Sequence, residues 1–260
     1  MRNKKWQIIL ILFFAITFSY RANAQVSLSI NFAPPALISY DQPECPGDGY
    51  MWIPGYWAYS PETGYYWVPG YWTLPPAPGL LWTPGYWGYD GNDYVWNAGY
   101  WGNNVGFYGG INYGYGYFGT GFVGGMWNGN TFQYNTAVVH IGRNIRNTYS
   151  NRNFSTNNSH ASFNGRGGVQ INQNNSERQY AQQQRYESTP DQRMQRQAAI
   201  SNTQFHYQNN NGQIEQQKID NQNQNYQNFK QQHQSEPEFK NPGRAVPMNN
   251  GNQGGGRGRR

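Results

Sequence analysis

Between residues 50 and 106 the bulky apolar positions do not alternate singly with polar ones but return as an aromatic block. It reads Trp52-Ile-Pro-Gly-Tyr-Trp57, Trp67-Val-Pro-Gly-Tyr-Trp72, Trp82-Thr-Pro-Gly-Tyr-Trp87 and, without the proline, Trp96-Asn-Ala-Gly-Tyr-Trp101. The leading tryptophans are 15, 15 and 14 residues apart, and eight of the ten tryptophans in the chain sit in these blocks. A fixed period in the largest side chain marks one small unit copied in tandem. Trp, Tyr and Val favour strands, and the spacers 60–64, 75–79 and 90–93 are rich in Pro, Gly, Asp and Asn, the residues of turns. The pattern predicts a mainly β fold: a small antiparallel meander with one strand per block. Pro-Gly could instead close a tight turn inside each block. It favours a type II turn, however, whose twist splays paired strands, so a mid-strand kink or bulge is the better reading.

That kink decides where the indoles point. Trp52 and Trp57, five residues apart, would face opposite sides of an ideal strand. One extra residue at a bulge restores parity and gives Pro54, Pro69 and Pro84 a place where no ladder bond is needed. Both tryptophans of a block then share a face, and the strands carry one ladder of Trp52, Trp57, Trp67, Trp72, Trp82, Trp87, Trp96 and Trp101. Trp72 and Trp82, on central strands, are expected to matter more to folding than Trp52 and Trp101 at the ends. A unit this small needs help to stand, which residues 107–142 are expected to supply. There glycine alternates with rings (Tyr113-Gly-Tyr115-Gly-Tyr117), and Ala137-Val-Val-His-Ile141 reads as a strand.

The flanks differ in kind. Arg2, Lys4 and Lys5, an apolar run from Ile8 to Phe18 and Ala22-Asn23-Ala24 describe a secretory signal peptide over residues 1–24. The run is too short for a transmembrane helix. Residues 25–49 read as a linker holding the single cysteine, Cys45, either a capped thiol or a partner for an intermolecular disulfide. Residues 143–260 are Asn/Gln-rich, lack Trp and end in Gly254-Gly-Gly-Arg-Gly-Arg-Arg260. Such a composition buries too little to offset ordering entropy, so a largely disordered tail is expected. Two short helices are allowed, 176–186 and 190–200, the second opened by Thr189 as N-cap and Pro190 as first residue. Both are polar nearly all round, with no obvious face to dock.

Charge separates the same two regions. Residues 25–142 contain six acids and no Lys or Arg, a net of −6, whereas residues 143–260 carry 15 basic residues against seven acids, a net of +8. This asymmetry suggests head-to-tail association or a tail that engages anionic surfaces.

A search for chemistry is brief. His140, His160, His206 and His233 are far apart, giving no support for a metal cluster or a nucleophile–base pair. Asp90 and Asp93 flank a Gly-Asn turn, where they either bond the turn or ligate Ca²⁺. The glycine runs lack the Lys-Ser/Thr of a phosphate loop. No catalytic residue, metal or cofactor is expected.

The Trp-x-Pro-Gly-Tyr-Trp units, with Tyr108-Gly-Gly-Ile-Asn-Tyr-Gly-Tyr-Gly116 and Trp127-Asn-Gly-Asn-Thr-Phe-Gln-Tyr-Asn135, resemble the bacterial YXWGXW (WXXGXW) repeat proteins over roughly residues 50 to 145. The resemblance implies an exported envelope protein without established biochemical activity. The lipid-anchor cysteine of some members is missing here. Two function classes follow. One is a non-catalytic structural or interaction protein of the cell envelope, in the periplasm, at the outer-membrane periphery or outside the cell, with the indoles as core. The other is a binding module that presents the eight indoles to glycans or a membrane interface. Anionic envelope polymers, glycans and further copies of the chain are the expected partners. Nucleic acid is not, because export removes the chain from cytoplasmic RNA.

Overall fold

The computed structural model describes residues 28–233. The signal peptide at 1–24 and the basic terminus at 234–260 lie outside the described residues. The fold is mainly β, built from short strands: β1 (Ser29–Ile30), β2 (Met51–Ile53), β3 (Tyr56–Ser60), β4 (Gly64–Val68), β5 (Tyr71–Thr73), β6 (Leu81–Thr83), β7 (Tyr86–Tyr89), β8 (Tyr94–Asn97) and β9 (Tyr100–Gly102) make up the repeats. After them come β10 (Asn112–Gly114), β11 (Tyr117–Phe118), β12 (Gly125–Asn128), β13 (Thr131–Asn135), β14 (Thr148–Tyr149) and β15 (Phe163–Asn164). Helices follow: α1 (Asn175–Tyr180), α2 (Pro190–Ser201), a 3₁₀ turn (Thr203–Phe205), α3 (Tyr207–Asn210) and α4 (Gln216–His233).

The repeat unit is a pair of blocks. β2 pairs with β5 and β3 with β4, so blocks one and two form one long antiparallel hairpin turning at 60–64; β6 with β9 and β7 with β8 do the same for blocks three and four. Each hairpin breaks at its midpoint, where Pro54-Gly55 faces Pro69-Gly70 and Pro84-Gly85 faces Ala98-Gly99, because proline offers no N–H to the ladder. The mid-strand kink is therefore present. The continuous meander is corrected: β5 and β6 are not hydrogen-bonded to each other, and the proline-rich 75–78 segment carries the chain between two separate hairpins. The hairpins meet through side chains instead. Trp87 Nε1 donates to the Trp57 carbonyl at 2.8 Å, and Tyr56 stacks on Trp96 with ring centroids 5.3 Å apart.

Residues 107–142 cover the repeats rather than extend their sheets. β10 pairs with β11 and β12 with β13, and Tyr117 Oη donates to the Trp82 carbonyl at 2.9 Å. The expected strand at 137–141 is a turn, because Asn135 O accepts from the N–H groups of Val138 and Val139. Of that stretch Ile141 alone joins a bridge, to Cys45.

The Asn/Gln-rich stretch packs more closely than its polarity suggests. Of the two allowed helices, the second is present as expected and the first stops at Tyr180, six residues short, because Tyr186 is drawn into a bridge with Trp101; capping boxes stand at Asn174/Glu177 and Thr189/Gln192, with Pro190 in the first turn of the second. Phe205 and Ile219 are completely buried, and Tyr186 exchanges two 2.9 Å backbone bonds with Trp101. Amides share the docking face with these apolar side chains, and their donors and acceptors satisfy groups that a wholly apolar face would leave bare. Gln192 and Gln195 are buried on α2, and the Gln216 amide of α4 bonds Asp41 N at 2.8 Å and Asp41 O at 3.2 Å. Among the described residues no ion pair joins head to tail.

Candidate functional site

Each block divides its two indoles between two apolar clusters. Trp52, Trp72, Trp82 and Trp101 lie in one, around Met51, Tyr108 and Tyr134; Trp57, Trp67 and Trp87 lie in the other, with Trp96 packed against it. The single eight-indole ladder is corrected accordingly. The cause is the registry of the hairpin, which puts Trp52 opposite Trp72 and Trp57 opposite Trp67 on either side of the kink, and repeats this with Trp82/Trp101 and Trp87/Trp96. All four pairs have ring centroids 5.2–5.4 Å apart, tilted or edge-to-face. Seven of the eight indoles are buried; Trp96 is half-buried. Trp52 and Trp101 sit as deep as Trp72 and Trp82, because later segments cover both ends of the repeat array.

The two tryptophans of a block do different things. The leading indole lies over the kink glycine of the partner block: a Cβ on Gly70 would meet Trp52 Cζ2 at 2.5 Å, one on Gly99 would meet Trp82, one on Gly85 would meet Trp96, and one on Gly55 would meet Trp67. Close approach is thus the reason for glycine in the motif. The trailing indole uses its N–H as a tether. Trp57 Nε1 bonds Ala36 O, Trp72 Nε1 bonds Pro43 O, and Trp101 Nε1 bonds Gln192 Oε1 at 2.7 Å. Gln192 Oε1 also accepts from Thr189 N at 2.8 Å. Replacing Gln192 with alanine should therefore orphan a buried indole donor and remove half of the α2 capping box. The expected cost is about 1–3 kcal/mol, read as faster limited proteolysis within 181–201.

Tyrosine hydroxyls line the same interior. Tyr40 Oη accepts from Gly55 N at 2.9 Å inside the first kink, and Tyr113 Oη donates to Gly85 O at 2.6 Å inside the second. Burial pushes Tyr56 and Tyr86 up to about 12 and raises Tyr71, Tyr113 and Tyr117 well above the usual phenol value. The native state thus keeps protons that the unfolded chain releases near pH 10, so stability is whole below that pH and falls as pH rises toward 12. Cooperative alkaline unfolding in this window, with tyrosinate absorbance appearing together with loss of circular dichroism, is the expected result. Separate, non-cooperative titration would contradict it.

The other candidates have structural roles. Asp90 Oδ1 accepts from Asn92 N and Asp93 N, both at 2.9 Å, and these bonds hold its carboxyl below the usual range; Asp93 Oδ2 accepts from Ser29 Oγ. That is turn bonding. Cys45 is buried, its thiol donates to Gly47 O, and burial raises it to about 11. His206 is buried against Tyr66, and His140 lies on the surface 4.0 Å from Glu44. Among the described residues no group of three or more His, Cys, Asp or Glu could hold a metal, and no helix is long and apolar enough to cross a membrane.

What the sequence missed is a groove over the first kink, walled by Tyr40, Trp67, Tyr113 and Tyr115 and edged by Asn158 and His160. Alternating glycines around Tyr115 were its one local sign. The other residues come from segments too far apart to associate by pattern.

These features define a class: a repeat protein whose unit is a kinked aromatic hairpin. A family model described as WXXGXW repeat matches the chain in two copies, at residues 47–73 and 78–101, one per hairpin. No curated protein and no solved structure matches the chain.

Proposed function

We propose that this is a non-catalytic structural or interaction protein, exported to the cell envelope, whose repeats form a rigid aromatic scaffold. The observation that carries this reading is the fate of the motif itself: seven of its eight indoles are spent on the interior. A platform for membranes or extended glycans would keep a row of them on the surface. The exterior instead offers Asn and Gln amides and the exposed Arg143, Arg146, Arg152 and Arg166, suited to weak multivalent contact with anionic envelope polymers. Export rests on the pattern of residues 1–24.

Two measurements test this. Acrylamide should quench tryptophan fluorescence of the folded protein far less than that of the urea-unfolded chain; equal quenching overturns the scaffold reading. Fractionation of cells expressing the full chain and a form lacking residues 2–24 should place the first in the envelope or medium and the second in the cytoplasm. Cytoplasmic retention of both overturns export.

A further inference from the structure

The groove over the Gly55–Gly70 kink has a volume of about 480 Å³, within the usual range for small-molecule sites. Three observations make it more than a packing gap. Tyr115 has φ +49 between Gly114 at +77 and Gly116 at +98, a left-handed conformation that bulky side chains avoid. Its hydroxyl donates to Tyr40 O, and its ring stands 5.7 Å from those of Tyr40 and Trp52, so the strained residue forms a fixed aromatic wall. Trp67, completely buried, has an indole N–H with no acceptor among the described residues. Its ring lies against Gly55, and both residues line the groove. At the rim the exposed side chains of Asn158 and His160 make no hydrogen bond to any other described residue.

We infer that this groove binds one ring of a neutral saccharide. A pyranose has a C–H face and an edge of hydroxyls. Aromatic faces carry the negative end of a quadrupole, which attracts the polarised C–H groups. An amide and an imidazole supply donors and acceptors for the hydroxyls. No Asp, Glu, Lys or Arg lines the groove, so a carboxylated or phosphorylated sugar would find no counter-charge, and a neutral unit fits best. This site is independent of the buried indole pairs. Its failure would leave the scaffold reading untouched, since quenching and fractionation do not depend on it.

The test uses the full chain titrated with cellotriose and with the trimer of N-acetylglucosamine, followed by calorimetry and ligand-observed NMR, with a trimer of galacturonic acid as charged comparison. Saturable binding of at least one neutral trimer is expected. The double variant Asn158→Ala/His160→Ala, changed only at the surface, should bind about tenfold or more weakly at unchanged Tm, as loss of two hydrogen bonds implies. Tyr115→Gly, which suits the left-handed backbone but removes the wall, should abolish binding; should that variant fail to fold, the double variant decides. No saturable binding of either neutral trimer, tighter binding of the charged trimer, or parental affinity in the double variant would overturn the proposal.

Discussion

Replacing Gly99 with alanine is expected to destabilise the protein by about 3 kcal/mol or more, lowering Tm by roughly 6–12 °C. A Cβ there would lie 2.5 Å from Trp82 Cζ2 and 2.7 Å from both Gly85 N and Thr83 O. A small rotation can displace the ring, but the two backbone atoms belong to the facing block and cannot move without opening the hairpin. Gly47→Ala is the control, since its nearest neighbour is 3.8 Å away on a tyrosine ring and its backbone is not left-handed. Thermal unfolding of the two variants separates the cases. Equal melting would mean that the kink glycines are not held by indole contact.

Trp101→Ala is expected to cost about 3–5 kcal/mol, no less than Trp72→Ala, although Trp101 belongs to the last block. Trp101 is completely buried, paired with Trp82 at 5.3 Å and bonded through Nε1 to Gln192. Its loss opens a cavity and frees α2 at once. Trp101→Phe, which keeps a ring but no donor, should lie between parent and alanine variant. Trp96→Ala, at a half-buried position, should be the mildest of the repeat series. Urea unfolding of these variants gives the order, and a terminal indole milder than Trp96 would contradict the packing described above.

Much of this was legible from local spacing. The Trp period announces the repeat, Pro-Gly announces the kink, and Thr189-Pro190 announces the helix that the structure places at Pro190–Ser201. The turn at 60–64 and the Asp90 turn follow from their residues alone. These features depend on side-chain chemistry within a few residues, where sequence distance and spatial distance coincide. The expected strand at 137–141 fails for a related reason: Asn135, just upstream, folds its own side chain back to Ala137 N and turns the chain. Apolar content alone did not outweigh that bond.

By itself, then, the sequence determined that four aromatic blocks would each form a kinked extended segment with glycine at the break, and that short capped helices would follow. Only the tertiary structure decided that the blocks pair two by two, that each surrenders its indoles to two different clusters, and that the Gln-rich helices close over the result. The reason is physical. A repeat period states what each unit is, but strand pairing depends on which turn can close, and the proline-rich segment at 75–78 leaves β5 and β6 unpaired with each other. The docking of a polar helix depends on a donor waiting elsewhere: Gln192 has no reason to be buried until Trp101, 91 residues away in the chain, presents its N–H.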